Sequence, residues 1–217
     1  MSTIPFRSKQ EVEAAIPAVR SHLERGGLLG HPTETVYGVG CRPESAGLRR
    51  LSRLKGRSAQ KPFLVLVSDN TMADEWGFVF SDAARALARA FWPGPLTLVL
   101  EVGSGKLPNS LRGERGGVAI RWTSHSGVAR LIEAMNFPIT STSANPAGAE
   151  PALTAAEVVA HLASSLESEH LLVLDGGPLR ASLPSTVIDC TGHTPLLLRE
   201  GAVPAEQLYA QVGRIER

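Results

Sequence analysis

Apolar residues recur along this chain in two rhythms. Between Lys9 and Arg25 they fall at Val12, Ala15, Ile16, Val19 and Leu23, the spacing of one helical face, and Gly26-Gly27 ends the run. Pro17 is placed to kink that helix. GGLLGHPTETVYGVG then reads as a short buried strand entering a loop punctuated by Pro and Gly, followed by a helix over 46–54. PFLVLVSD is strand-like, Asp82–Phe91 is strongly helical, and WPGPLTLVLEV turns through Pro93, Gly94 and Pro95 into an apolar strand. GVAIRW predicts another strand, Val128–Met135 a helix, and PITSTSAN a strand with a polar end. A helix over Ala155–Leu162 opens on Thr154, with Glu157 three residues on, the arrangement of a capping box. LLVLD, STVIDC and PLLLRE close the chain as strands whose spacing is too short for helical crossovers. The pattern predicts one α/β domain with a mixed sheet of at least six strands, without repeats or linkers.

Composition narrows the function classes. A hydrophobic content of 43% in 217 residues supports one good core, and a charged fraction of 20% excludes a disordered tail protein. No run approaches the roughly 18 apolar residues of a membrane helix, and MSTIPFRSKQ has no basic-then-apolar leader pattern, so the expected location is cytoplasmic, away from membranes. Cys41 and Cys190 form no CxxC pair and read as buried free thiols, with no disulfide or zinc site. The net charge is only +1, which removes any argument from bulk charge to nucleic acid. Its distribution is uneven. Residues 42–61 hold Arg42, Arg49, Arg50, Arg53, Lys55, Arg57 and Lys61 against Glu44 alone, a patch suited to an anionic ligand.

The familiar phosphate loops and metal motifs are missing. Gly38 and Gly40 begin a G-x-G, but Pro43 stands where a dinucleotide fingerprint needs its third glycine, and the six histidines have no ligand spacing. Polar residues gather instead at predicted strand ends. Thr33, Glu34, Thr35 and Tyr37 follow a buried strand, where they line a pocket floor or simply build a turn. Lys55-Gly56-Arg57 closes a helix, facing a polyphosphate or only water. Ser141, Ser143 and Asn145 alternate at strand period and share one face. Arg121 ends an apolar strand, so its guanidinium meets either a buried carboxylate or a ligand's. Ser185-Thr186 and Arg199 repeat the theme at later strand boundaries. Many cationic and hydroxylic donors with few free carboxylates suit an anionic substrate such as a nucleoside triphosphate plus a small carboxylate.

The ordered segments HPTETVYGVG, KGR with a following KP, WPGPLTLVL, GGVAIRW, TSTSAN, PSTVID and LREGA resemble the YrdC-like family of threonylcarbamoyl-AMP synthases over residues 10–202, leaving 1–9 and 203–217 as terminal extensions of the same domain. The resemblance implies an open twisted α/β sheet around a concave basic cavity. It implies a nucleotidyltransferase that joins L-threonine, bicarbonate or CO2, and ATP into threonylcarbamoyl-AMP with release of pyrophosphate, for modification of the adenosine beside the anticodon in tRNA. Its K-x-R and S-x-N stand here as Lys55-Gly56-Arg57 and Ser143-Ala144-Asn145. By resemblance Thr33 and Ser185 contact threonine and Arg121 its carboxylate. Lys55, Arg57, Lys61, Ser143, Asn145 and Arg199 contact the nucleotide, with Lys55 and Arg57 catalytic. Leu66 stands where longer members carry a histidine near the threonine. Mg²⁺ would arrive with ATP, held by phosphates and water and not by protein carboxylates. The product implies downstream tRNA threonylcarbamoyl-transfer proteins. The alternative from another class is a non-catalytic module binding double-stranded RNA or tRNA through the basic segment.

Overall fold

The computed structural model describes residues 2–56, 63–103, 107–146, 148–162 and 170–217. In chain order the elements are β1 (Ser2–Pro5), α1 (Lys9–Glu24), β2 (Leu28–His31), β3 (Gly38–Gly40), α2 (Ser45–Lys55), β4 (Leu64–Val67), α3 (Asn70–Glu75), β5 (Phe78–Val79), α4 (Asp82–Phe91) and β6 (Leu96–Val102). A 3-10 turn (Asn109–Leu111), β7 (Val118–Trp122), α5 (Ser126–Met135), β8 (Ile139–Ser143), α6 (Ala155–Leu162), β9 (Leu171–Asp175), β10 (Thr186–Asp189), β11 (Leu196–Arg199) and α7 (Ala205–Val212) complete it.

The helices begin where local chemistry tells them to. Ser8 Oγ accepts from the Glu11 amide while the Glu11 carboxylate accepts from the Ser8 amide, a closed capping box at α1. Thr154 and Glu157 make the same reciprocal pair at α6, as their spacing predicts. Ser81 caps α4 through the Ala84 amide. Pro17 lies within α1 without ending it. At the far end of α2, Gly56 takes the left-handed conformation (φ 55°) that stops the helix after Lys55.

The strands form one open mixed sheet in the order β1-β9-β2-β3-β8-β4-β7-β6-β10-β11, with β5 pairing β6. β1 and β2 both run parallel to β9, β4 to β7, and β10 to β6. The pairs β2–β3, β3–β8, β4–β8, β6–β7 and β10–β11 are antiparallel. The sequence pattern gave no notice of β1, β3, α3, β5 or α7. β3 is the instructive case, because the Gly38/Gly40 pair serves packing. A Cβ on Gly40 would stand 1.6 Å from the Thr140 carbonyl oxygen, so only glycine lets β3 lie this close to β8.

Alternation along the central strands separates core from site. β7 sends Val118 and Ile120 into the core, fully buried, and sends Ala119 and Arg121 to the opposite face. α1 packs on α5 and α4 on α7. β1 and α7 thus join the same body as the central segment, with β1 forming one sheet edge. Cys41 and Cys190 are both buried and free, and burial pushes each thiol up to about 12.

Candidate active site: an anion-binding cavity

A cavity of about 450 Å³ opens on the Arg121 face of the sheet. Its floor comes from β4, β6, β7 and β8, and its walls from the 33–36 turn, the 182–185 segment and the end of β11. Among the described residues two guanidiniums, Arg121 and Arg199, share the lining with a ring of hydroxyls, and no carboxylate stands there. Such a surface offers donors to anions and repels cations little, since most of its polar groups are neutral.

The turn entering β3 builds the first wall. Thr33 Oγ1 donates to the Val36 carbonyl at 2.7 Å and accepts from the Thr35 and Val36 amides, both at 3.2 Å. Thr33 therefore both lines the cavity and holds the turn, and the two readings its position allows are not exclusive. Glu34, between two lining threonines, points away behind the wall. Its Oε2 accepts from the Thr123 hydroxyl, and its Oε1 lies 3.9 Å from Arg121 Nε.

Arg121 is only 4% exposed, and burial lowers its pKa, with Glu34 opposing the shift and Arg199 adding to it. His31, fully buried at the end of β2, is pushed down to about 4 by desolvation, helped by the positive charge of Arg121. It is therefore neutral at physiological pH. Its Nδ1 lies 3.3 Å from the Pro32 carbonyl, which can only accept, so the proton sits on Nδ1 and Nε2 is bare. Burial also lowers His125.

At the other end, Arg199 donates to the Ser185 carbonyl from Nε at 3.2 Å and from Nη2 at 2.8 Å, and Nη2 reaches Ser185 Oγ at 3.3 Å. Ser185 Oγ is in turn 2.9 Å from Thr97 Oγ1. The residues expected to serve threonine (Ser185) and nucleotide (Arg199) are thus directly bonded at one corner. Ser143 lines the cavity as well.

Lys55 and Asn145 sit beside the cavity and are not among its lining. Lys55 Nζ donates to the Ser143 carbonyl at 2.9 Å and also to the Asn145 carbonyl, pinning the loop after β8 to the end of α2. Asn145 Nδ2 donates to the Ala149 carbonyl, while its buried Oδ1 has no hydrogen-bond partner among the described residues. Arg57 and Lys61 lie outside the described residues. Leu66 is fully buried, paired in register with Arg121, and offers no polar atom at that place.

Sequence reasoning missed Thr97 and Ser182. Thr97 carried a faint signal as the lone hydroxyl in LTLVLEV. Ser182, whose hydroxyl donates to the Thr35 carbonyl at 3.1 Å, lies in irregular chain where no period marks a face.

Comparison with known proteins supplies the context. The sequence profile of the Sua5, YciO and YrdC family, described by the term telomere recombination, matches residues 21–201. A threonylcarbamoyl-AMP synthase of Thiobacillus denitrificans is 39% identical over 178 residues, covering 82% of this chain and 92% of that protein. One of Pyrococcus abyssi is 34% identical over 215 residues, and there the chain spans 98% of itself but 62% of the relative. P. abyssi Sua5 complexed with L-threonine superposes with a TM-score of 0.86 at 32% identity, covering 100% of this chain and 63% of that one. E. coli YciO gives 0.79 at 27% identity, covering 96% and 100%. With five-sixths of its length under that profile and a relative of matching size at 39% identity, this chain belongs to the Sua5/YciO/YrdC family.

Proposed function

We infer that the chain is a threonylcarbamoyl-AMP synthase, an enzyme that adenylates the carbamate of L-threonine. The observation that carries this reading is the cavity itself, in which the buried guanidinium of Arg121, the more exposed one of Arg199 and a ring of hydroxyls occupy the concave face of a fold that P. abyssi Sua5 shares in complex with L-threonine. Curated relatives across bacteria and archaea carry the synthase name, which favours catalysis over the RNA-binding alternative.

In this reading the threonine amine attacks CO2, forming a C–N bond and releasing one proton. A carbamate oxygen then attacks the α-phosphorus of ATP, a P–O bond forms, the bond to the β-phosphate breaks, and pyrophosphate leaves. Both partners are anions, so the task for the protein is to hold negative charges together. Arg121 takes the threonine carboxylate and Arg199 a phosphate or ribose-phosphate oxygen, each by charge-assisted hydrogen bonds. Thr33, Ser143 and Ser185 add neutral donors, which orient oxygens without the desolvation cost of further buried charge. Lys55 acts from the edge, fixing the backbone of Ser143 and Asn145, while Arg57 and Lys61 belong to the nucleotide set by resemblance alone.

Among the described residues no group of three or more His, Cys, Asp or Glu is placed to hold a metal ion. The donor set fits a Mg²⁺ that comes with the triphosphate, and such an ion would neutralise phosphate charge during the transfer. Among the described residues, no helix is long and apolar enough to cross a membrane, and we assign the enzyme to the cytoplasm. Its product, a mixed anhydride, calls for proteins that pass the threonylcarbamoyl group to tRNA.

The test is pyrophosphate release from ATP and Mg²⁺. Release that requires both L-threonine and bicarbonate is the expected result, and release indifferent to either one overturns the reading.

A further inference from the structure

Behind the cavity wall, Glu34 and Thr123 stand outside the lining and next to Arg121, which belongs to it. Arg121 makes no hydrogen bond among the described residues, and its Nε is sealed from solvent. The nearest opposing charge is Glu34, whose Oε1 is equally sealed and equally without a hydrogen-bond partner. At 3.9 Å the two attract but do not bond. Glu34 is itself fixed from behind. Its Oε2 accepts from the Thr123 hydroxyl, and Thr123 Oγ1 accepts from the His125 amide at 3.2 Å, so the hydroxyl's proton is committed to the carboxylate. Thr123 is fully buried, which leaves this chain of contacts little freedom.

The spacing has a consequence for binding. A carboxylate at bidentate distance would use up the donors of Arg121, and none at all would leave a buried cation uncompensated. Glu34 offsets the charge from the Nε edge, while Arg121 lines the cavity and its terminal nitrogens make no hydrogen bond among the described residues. We propose that Glu34, held by Thr123, is the positioning residue of the anion site at Arg121, presenting its guanidinium fork to the carboxylate of the amino-acid substrate. The proposal rests on the synthase reading above. Without the carboxylate, the guanidinium relieves its buried charge by swinging toward water in the cavity and no longer waits in the geometry a ligand carboxylate needs.

The experiment is calorimetric titration of the intact protein with L-threonine and, separately, with a non-hydrolysable ATP analogue, on wild type, Glu34→Gln, Thr123→Val, Arg121→Lys and the Arg121→Lys/Glu34→Gln double variant. Glu34→Gln weakens threonine binding by roughly tenfold or more, as for loss of one partner of a buried charge pair, while nucleotide binding stays within about twofold. Thr123→Val weakens threonine alone, by a smaller factor. In the double variant threonine binds no worse than to Arg121→Lys, because Glu34 acts only through that arginine. Wild-type threonine affinity in Glu34→Gln, additive losses in the double variant, or parallel loss of threonine and nucleotide binding overturns the proposal. If Glu34→Gln does not fold, Thr123→Val decides, and unchanged threonine affinity there refutes it. Wild type that binds no threonine at all overturns the synthase reading first, and the proposal with it.

Discussion

Replacing His31 by phenylalanine flattens the acid side of the protein's stability profile. The ring is fully buried, and desolvation pushes its pKa from 6.5 to about 4 against the upward pull of the Pro32 carbonyl, with Arg121 and His125 adding smaller downward contributions. Above pH 6.5 neither folded nor unfolded chain protonates the imidazole, and its linkage contribution is constant. Between 6.5 and 4 the unfolded chain takes up a proton that the folded one refuses, so stability is lost as pH falls through this window. Below 4 both states are protonated and the loss levels off. The gap of about 2.5 pKa units corresponds to roughly 3 kcal/mol in full, and to about 2 kcal/mol at pH 5. Urea denaturation at pH 7 and pH 5 measures it. Wild type loses about 2 kcal/mol more than His31→Phe between the two, since carboxylates and the other histidines titrate alike in both proteins. Imidazole NMR signals of His31 unchanged down to about pH 5 give an independent check. Parallel losses in the two proteins refute the argument and place a proton on His31 in the folded state.

Arg121→Lys raises the apparent KM for threonine by about tenfold or more while leaving the fold intact, because an ammonium cannot reproduce the planar fork; unchanged threonine affinity would show the arginine to be structural. Lys55→Met removes the charged anchor of the Ser143 and Asn145 carbonyls, and both thermal stability and pyrophosphate formation fall, stability by about 1 to 3 kcal/mol in a denaturant titration. Wild-type values for both would place Lys55 outside site and scaffold alike. Threonine is preferred strongly to valine and less strongly to serine, since a site that bonds a hydroxyl rejects the analogue lacking it more than one short of a methyl, worth about 1 to 3 kcal/mol; activity on valine equal to that on serine would mean the hydroxyl is not read.

The helices were most legible where the chain carries its own punctuation. α4 and α6 begin on Ser81 and Thr154 and run over the residues that periodicity marks, because the cap and the apolar stripe specify the same start. β3 was illegible, since a three-residue strand with glycine at both ends has no side chains from which to read alternation. β1 is mostly exposed even in the sheet and has no buried face to read, and its partner β9 lies some 170 residues away in sequence. In the site, Arg121 announced itself as a charge at the end of an apolar strand. Ser185 and Arg199 were visible as separate boundary residues, but their direct bond depends on the antiparallel β10–β11 pairing, which no local pattern states. The hydrogen bonds of Lys55 illustrate the same limit. A lysine at a helix end next to a glycine reads as facing a phosphate or only water, and the return of the chain after β8 adds two carbonyls within its reach.

That division bears on how a nearly neutral protein would gather the anions of the proposed reaction. A cavity lined by more lysines and arginines would attract a triphosphate strongly, yet each added cation must be desolvated, and neighbouring cations depress one another as Arg199 does Arg121. Hydroxyls avoid that cost, since they carry no charge and turn to donate or accept as the ligand requires. Among the described residues two arginines line the cavity, and each is steadied along one edge by a neighbouring group. Ser185 holds Arg199 by its carbonyl along the Nε and Nη2 edge, and Glu34 offsets Arg121 from the Nε side at a distance too long to bond. The same arrangement at both ends of the cavity, a guanidinium supported along one edge and open along the other, is what an enzyme needs to bring a carboxylate and a phosphate chain toward each other without neutralising its own donors beforehand.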